Sequence, residues 1–179
     1  MEFITTPFDR SVDRSAFDCG THEALNRYIA QQAGQDEKRH VSRTFMLLDD
    51  GRLIGYYTLA NAAIAISELD ETMIRAMPRY PMPAILLSRL AVDKVQQGNG
   101  TGKRLFADFF RRVFAISKHS GVAFIIVDAK DDEAARYYRG LDFLPSPANP
   151  LRLVLPTATL FNAFKNEEAR IKAEAEARE

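Results

Sequence analysis

The chain has 179 residues, 46% hydrophobic and 27% charged, a balance that suits one globular domain with a sizeable core. Its 24 basic and 24 acidic residues cancel, which argues against wholesale coating of nucleic acid, and no apolar run nears the roughly 20 residues of a membrane span. A single cysteine, Cys19, excludes an internal disulfide framework and fits a reducing cytoplasm, while three histidines without ligand spacing predict no metal site.

In chain order, Glu2–Thr5 reads as a short first strand, followed by a turn at Phe17–Gly20. Leu25, Tyr28 and Ile29 then recur at helical spacing in a helix from Thr21. Two apolar runs, Arg43–Leu48 and Leu53–Ala60, flank Asp49-Asp50-Gly51, a hairpin signal. Ser67 is a candidate cap for a helix through Met77, with Glu68, Asp70 and Glu71 in its first turn. Pro78, Pro81 and Pro83 end that helix and impose an extended run into Ala84–Val92, whose near-continuous hydrophobicity marks a strand covered on both faces. A turn, Asp93–Gly100, leads into a helix over Thr101–Ser117, with Leu105, Phe109, Val113 and Ile116 along one stripe. Val122–Ala129 is a second buried strand, Asp131–Arg139 a short helix, and Leu151–Leu155 a last strand stopped by Pro156. The order predicts an α/β domain with a mixed sheet over residues 1–160. Residues 161–179 form a polar C-terminal helix or tail, since the last fourteen contain little beyond Ala, Glu, Lys and Arg.

The turn before the long helix carries the most chemistry. Gly98, Gly100 and Gly102 allow close backbone approach and positive φ, so successive amide N–H groups can converge on an anion at the helix's positive end. Lys103 and Arg104 stand in the first turn to neutralise phosphate, and Gln97 can either bond the same oxygens or brace the loop. A Walker loop is not met, because Arg104 follows Lys103 where Ser or Thr is required. A dinucleotide fold wants its cradle after the first strand, whereas this one lies past mid-chain; Asp128, ending the next strand, keeps that reading open.

Arg89-Leu90-Ala91-Val92-Asp93, followed by Gln97, Gly100 and Gly102, resembles motif A of the GNAT superfamily of N-acetyltransferases. Further features occur in the order seen in the TacT/AtaT-like acetyltransferase toxins of bacterial type II toxin–antitoxin modules. These are Phe17-Asp18-Cys19-Gly20 with Leu25-Asn26, Gly55-Tyr56-Tyr57-Thr58-Leu59, Pro81-x-Pro83, and Ala135-Arg136-Tyr137-Tyr138. The resemblance spans about Phe17 to Pro147, with one departure, Asp142 where the family has Gly. It implies a GNAT-like fold, mostly antiparallel, with a splayed strand pair and helices on both faces. It also implies acetyl-CoA as cosubstrate. Leu90, Ala91 and Val92 would meet its pantetheine arm; Gln97, Gly98, Asn99, Gly100, Thr101, Gly102 and Lys103 would hold its pyrophosphate; Ala134 and Tyr137 would pack near it.

For the chemistry, the resemblance assigns Tyr138 as the general acid toward the departing thiolate, and an amide near Val92 is a candidate oxyanion donor. No histidine or glutamate presents itself as a base. That leans toward an α-amine acceptor, whose pKa of about 7.7–8.0 leaves an appreciable neutral fraction, over a lysine near 10.4. The toxin resemblance implies the α-amine of aminoacyl-tRNA; the alternative is a protein N-terminus, a polyamine or another small amine. It also implies a small ribbon-helix-helix antitoxin, a homodimer and a cytoplasmic, membrane-free setting. Candidate RNA-rim residues are Lys38, Arg39, Arg43, Arg75, Arg79 and Arg136, alongside Arg111, Arg112, Lys118 and Arg139. Arg89 is expected to pair with a buried acid such as Asp93, and Cys19 to be a small core residue.

Overall fold

In the computed structural model, which describes residues 3–75, 77–162, 164 and 165, seven strands, five bounded α-helices and a further helical segment at 157–162 follow one another among the described residues. Cα packing divides them into two units, residues 1–62 with 85–119, and residues 63–84 with 120–179.

The first unit holds strands β1 (Thr6–Pro7), β2 (Arg43–Asp49), most of β3 (Arg52–Ile64) and most of β4 (Met82–Val92), in that spatial order. β1 pairs antiparallel with β2, and β2 with β3. Asp49 faces Arg52, so Asp50 and Gly51 alone make the turn, both at positive φ (46° and 77°), as a two-residue hairpin loop of type I′ requires. Helix α1 (Glu23–Arg27) runs through a π turn at Tyr28–Gln32 into α2 (Ala33–Lys38). The long helix α4 occupies Thr101–Ser117, the residues its apolar stripe predicts.

Because side chains alternate along a strand, Tyr56 and Tyr57 point to opposite faces of β3. Tyr56 lies 5.5 Å from the Phe17 ring and 6.4 Å from Tyr28, and its hydroxyl donates to the Leu25 carbonyl at 2.8 Å. Tyr57 packs edge-on to Phe109 of α4 at 5.7 Å. Helices therefore cover both faces of this part of the sheet, which is why β3 is buried almost without alternation from Leu53 to Leu59. Gly55 makes the α4 side possible. A Cβ there would lie 2.8 Å from Leu105 and 3.2 Å from the Ala91 carbonyl.

The second unit orders β5 (Phe124–Asp128), β7 (Asn149–Pro156) and β6 (Leu144–Ser146) side by side, all antiparallel. Helix α5 (Asp132–Arg139) begins at Asp131, whose carboxylate accepts from the Ala134 N–H at 2.8 Å. Arg152 of β7 clasps Asp128 at 2.8 and 3.1 Å and Glu68 at 2.7 Å.

Several expectations give way. Of the expected first strand Glu2–Thr5, Glu2 lies outside the described residues and 3–5 are not strand; the first described strand is Thr6–Pro7, the Ile4 N–H and the Thr5 hydroxyl being drawn to Asp108, each at 2.6 Å. The Ser67 helix is absent. A 3-10 turn, Ile66–Glu68, is followed by the short α3 (Glu71–Ile74), capped by Asp70, which accepts from both the N–H and the hydroxyl of Thr72. Glu68 is diverted to the Ala65 N–H and to Arg152. Strand β6 and a helical segment over 157–162 are additions. Of residues 161–179, expected as a polar helix or tail, 161, 162, 164 and 165 are helical, and 163 and 166–179 lie outside the described residues. Among the described residues no helix is long and apolar enough to cross a membrane, and no group of three potential metal ligands occurs.

Candidate active site

The cradle is built by three backbone choices. Gly98 and Gly100 sit in the left-handed region at φ 78° and 77°, with open space where a side chain would be. Gly102 lies within the helix, where a Cβ would meet only Val92, in ordinary contact at 3.8 Å, so the geometry there does not itself call for glycine. Gly100 caps α4 without a side-chain hydrogen bond. Helix geometry leaves the first N–H groups without an intrahelical acceptor, so those of Thr101, Gly102 and Lys103 are available to an anion. The Arg104 N–H already donates to the Gly100 carbonyl at 3.1 Å. Asn99, Lys103 and Arg104 are exposed, whereas the Thr101 side chain is buried.

Gln97 braces the loop. Its amide donates to the carbonyls of Cys19 and Val92, both at 3.0 Å, which ties the cradle to the end of β4 and to the turn before α1. That turn is itself clamped. Asp18 accepts from Gly20 N–H at 2.8 Å in an Asx turn, from the Asn26 amide at 3.1 Å and from Lys94 at 2.6 Å. The Lys94 bond holds the Asp18 carboxyl below its ordinary range, and Asp18 raises the ammonium in return. Asn26 accepts from Cys19 N–H at 2.9 Å. The Phe17–Gly20 and Leu25-Asn26 motifs thus act as a brace under the cradle. The Asp-x-Gly spacing at residues 18–20 is the sequence signal for it.

β4 brings Ala91 and Val92 into the core and leaves Leu90 half-buried. Arg89 corrects an expectation. It does not pair with Asp93, which receives Arg52 at 3.3 Å and Val95 N–H at 3.0 Å; its guanidinium lies 3.6 Å above the Tyr28 ring. A stacked arginine gains from the ring's quadrupole without needing a carboxylate.

In the second unit, Tyr138 stands in the last turn of α5, half-buried, 5.4 Å from the Tyr137 ring and 5.9 Å from Phe143. Burial, with a smaller contribution from Tyr137, pushes its phenol up to about 12. Tyr137 is exposed, and burial of part of its ring raises it too. Ala134 is half-buried in the same helix. The departure at residue 142 is resolved. Asp142 takes φ 65°, the left-handed conformation that glycine would supply, and Phe143 is buried beyond it.

The rim candidates separate by their partners. Arg112 is structural, against expectation. It donates to the Tyr57 hydroxyl at 2.8 Å and to Thr5, lies 3.6 Å from Asp108, and stacks on Phe45 at 3.7 Å and Phe3 at 4.1 Å. Arg43 is exposed but held by Glu37 at 2.6 Å and His40 at 2.9 Å. Lys118 lies over Phe114, Arg139 reaches the Pro150 carbonyl, and Arg136 the Asp132 carbonyl. Arg111 is half-buried; Arg75 and Arg79 are exposed in the second unit. Lys38 and Arg39 are exposed in the first unit beside Arg10 and Gln35. Asp128, the residue that kept a dinucleotide reading open, is engaged by Arg152.

Comparison with known proteins places the chain in a family. The acetyltransferase (GNAT) family profile matches residues 10–143. A tRNA-acetylating toxin of Mycobacterium tuberculosis is 38% identical over 143 residues, covering 80% of this chain and 85% of that protein. The structure of AtaT complexed with acetyl-methionyl-tRNAfMet superposes with a TM-score of 0.82 at 27% identity, covering 89% of this chain and 99% of that one. A tyrosine-to-phenylalanine mutant of the AtaT toxin, bound to the C-terminus of the antitoxin AtaR and acetyl-CoA, superposes at 0.75 with 26% identity, covering 90% and 97%.

Proposed function

Because the chain belongs to the acetyltransferase (GNAT) family, we propose that it transfers the acetyl group of acetyl-CoA to the α-amino group of an aminoacyl-tRNA. The observation that carries this reading is the Gly98–Lys103 cradle, with two left-handed glycines and a helix N-terminus uncapped by any side chain. Its free N–H groups, with Lys103 and Arg104 in the first turn, suit the two negative charges of a CoA pyrophosphate. Leu90, Ala91 and Val92 line the pantetheine arm, and Ala134 and Tyr137 pack near it. Acceptor choice is supported by the tRNA-acetylating relative and by the AtaT complex with its acetylated charged tRNA.

In the reaction the acceptor nitrogen's lone pair forms the C–N bond to the acetyl carbonyl while a backbone amide near Val92 stabilises the oxyanion. As the C–S bond breaks, Tyr138 gives its phenolic proton to the sulfur. The phenolate then recovers the proton that the new amide nitrogen sheds, so no separate base is consumed. A phenol raised to about 12 stays protonated throughout the physiological range, the state a donor requires. The acceptor enters as a neutral amine, which an α-amine near 7.7–8.0 provides without assistance.

Further parts of the proposal are a ribbon-helix-helix antitoxin partner, a homodimer and action in the cytoplasm. An antitoxin partner is supported by the AtaT complex with the AtaR C-terminus. The test is incubation with acetyl-CoA and a charged tRNA pool, followed by mass spectrometry of the released aminoacyl groups. N-acetyl-aminoacyl products are expected. Their absence, with acetyl-CoA bound, would remove the tRNA acceptor and leave the family assignment intact.

A further inference from the structure

Arg10, Gln35, Lys38 and Arg39 line a surface hollow of about 420 Å³ in the first unit. Three of the four are cations, and no carboxylate shares the lining. Among the described residues none of these cations lies within ion-pair distance of an acid. The nearby acids are otherwise employed. Asp36 accepts from Tyr28, Glu37 from Arg43, and Asp9 from Ser11. In a chain of zero net charge, three neighbouring cations without acid partners form a local positive field that nothing in the fold consumes.

The placement is built into the backbone. Arg10 donates to the Gly34 carbonyl at 3.1 Å, which lays the N-terminal segment along α2. Gly34 sits inside that helix at a usual cost of about 0.5–1 kcal/mol relative to Ala. A Cβ there would stand in van der Waals contact with Phe8 at 3.4 Å and Arg10 Nε at 3.9 Å, which places this turn of α2 directly against the N-terminal segment. A second hollow, about 210 Å³, shares Arg10 and Gln35 and continues past Phe8 and Arg14. Arg14 spends its donors on the carbonyls of Asp9, Arg10, Val12 and Ile29, so it adds charge rather than free hydrogen bonds. Lys38 and Arg39 close the other side, at the end of α2.

We propose that Arg10, Lys38 and Arg39 seat a phosphodiester segment of the acceptor RNA. This inference rests on the tRNA reading above and deepens it. The hollow, about 420 Å³, lies within the size range of ligand clefts, about 300–1,000 Å³, and has room for a nucleotide-sized group. Three cations with no carboxylate among the lining residues match the charge of phosphate oxygens, a contact that positions the RNA without reading sequence. That lining also distinguishes these cations from Arg43 and Arg112, whose charges are already met within the chain.

The test compares the full-length wild type with the triple variant Arg10→Gln, Lys38→Gln, Arg39→Gln. Binding of a tRNA pool is measured across a potassium chloride series, with acetyl-CoA affinity and melting temperature alongside. Each lost phosphate contact removes roughly 0.7–0.9 from the slope of log K against log salt. The variant is expected to flatten that slope by about 2 and to raise KM for charged tRNA about tenfold or more, with acetyl-CoA affinity and melting temperature unchanged. If the wild type acetylates charged tRNA and the variant keeps the wild-type slope and KM, the seat is wrong and the function stands. If the wild type binds no tRNA at all, both fall together.

Discussion

At the scale of single residues, the buried carboxylate of Asp108 is the one on which most else converges. It is fully buried and receives Ile4 N–H and Thr5 hydroxyl at 2.6 Å and Tyr57 hydroxyl at 2.7 Å, with Arg112 at 3.6 Å. Removing one member of such a set leaves the others buried without partners, a loss of about 3–5 kcal/mol for a broken buried ion pair. Asp108→Ala is expected to lower unfolding free energy by roughly that amount in urea titration; a change below about 1 kcal/mol would show that water replaces the carboxylate cheaply. None of this was legible in the sequence. In the sequence Arg112 stood only as a candidate for the RNA rim, because partners such as Thr5 and Tyr57, more than fifty residues away, leave no local pattern. Arg89 misled for the same reason: a carboxylate four residues on was the obvious partner, but Asp93 turns to Val95 and Arg52 while Tyr28 offers a ring.

At the scale of elements, local signals did most of the work. The Asp-Gly hairpin and helix α4 fall where turn chemistry and apolar spacing put them, because both are specified by contiguous residues. The Ser67 helix failed where two candidate caps competed. Asp70, with two hydrogen bonds from Thr72, caps the helix in place of Ser67, and Glu68 was claimed by Arg152 from a distant strand. The cradle was legible as a cradle but its brace was not, since Gln97 could equally face the anion. Gly100 carries the sharpest consequence. At φ 77° a side chain is strained by about 1–2 kcal/mol even though open space surrounds it. Gly100→Ala is expected to cost about 1 kcal/mol or more of stability and to raise the dissociation constant for acetyl-CoA, read by calorimetry, while leaving Tyr138 untouched. An unchanged affinity would mean that the pyrophosphate does not rest on this turn.

At the scale of the molecule, the proposed chemistry calls on residues that lie far apart in the sequence, the cradle at Gln97–Lys103 and the proposed proton donor Tyr138. The resemblance in motif order rests on both segments, and the family match over residues 10–143 includes them. Asp142 shows how such a pattern survives a departure. An aspartate can occupy the left-handed conformation at φ 65° because its short polar side chain tolerates it better than most, so the turn behind Tyr138 is retained without glycine. What the order of motifs does not contain is which surface cations meet the acceptor, since that depends on which are already paired. The central claim is that Tyr138 supplies the proton for the thiolate while the cradle holds the donor. It is tested most directly by Tyr138→Phe, with acetyl-CoA affinity measured beside the single-turnover rate of acetyl transfer to charged tRNA. Unchanged affinity with a rate lower by roughly 10²–10³ is predicted; a rate near that of the wild type would contradict the account.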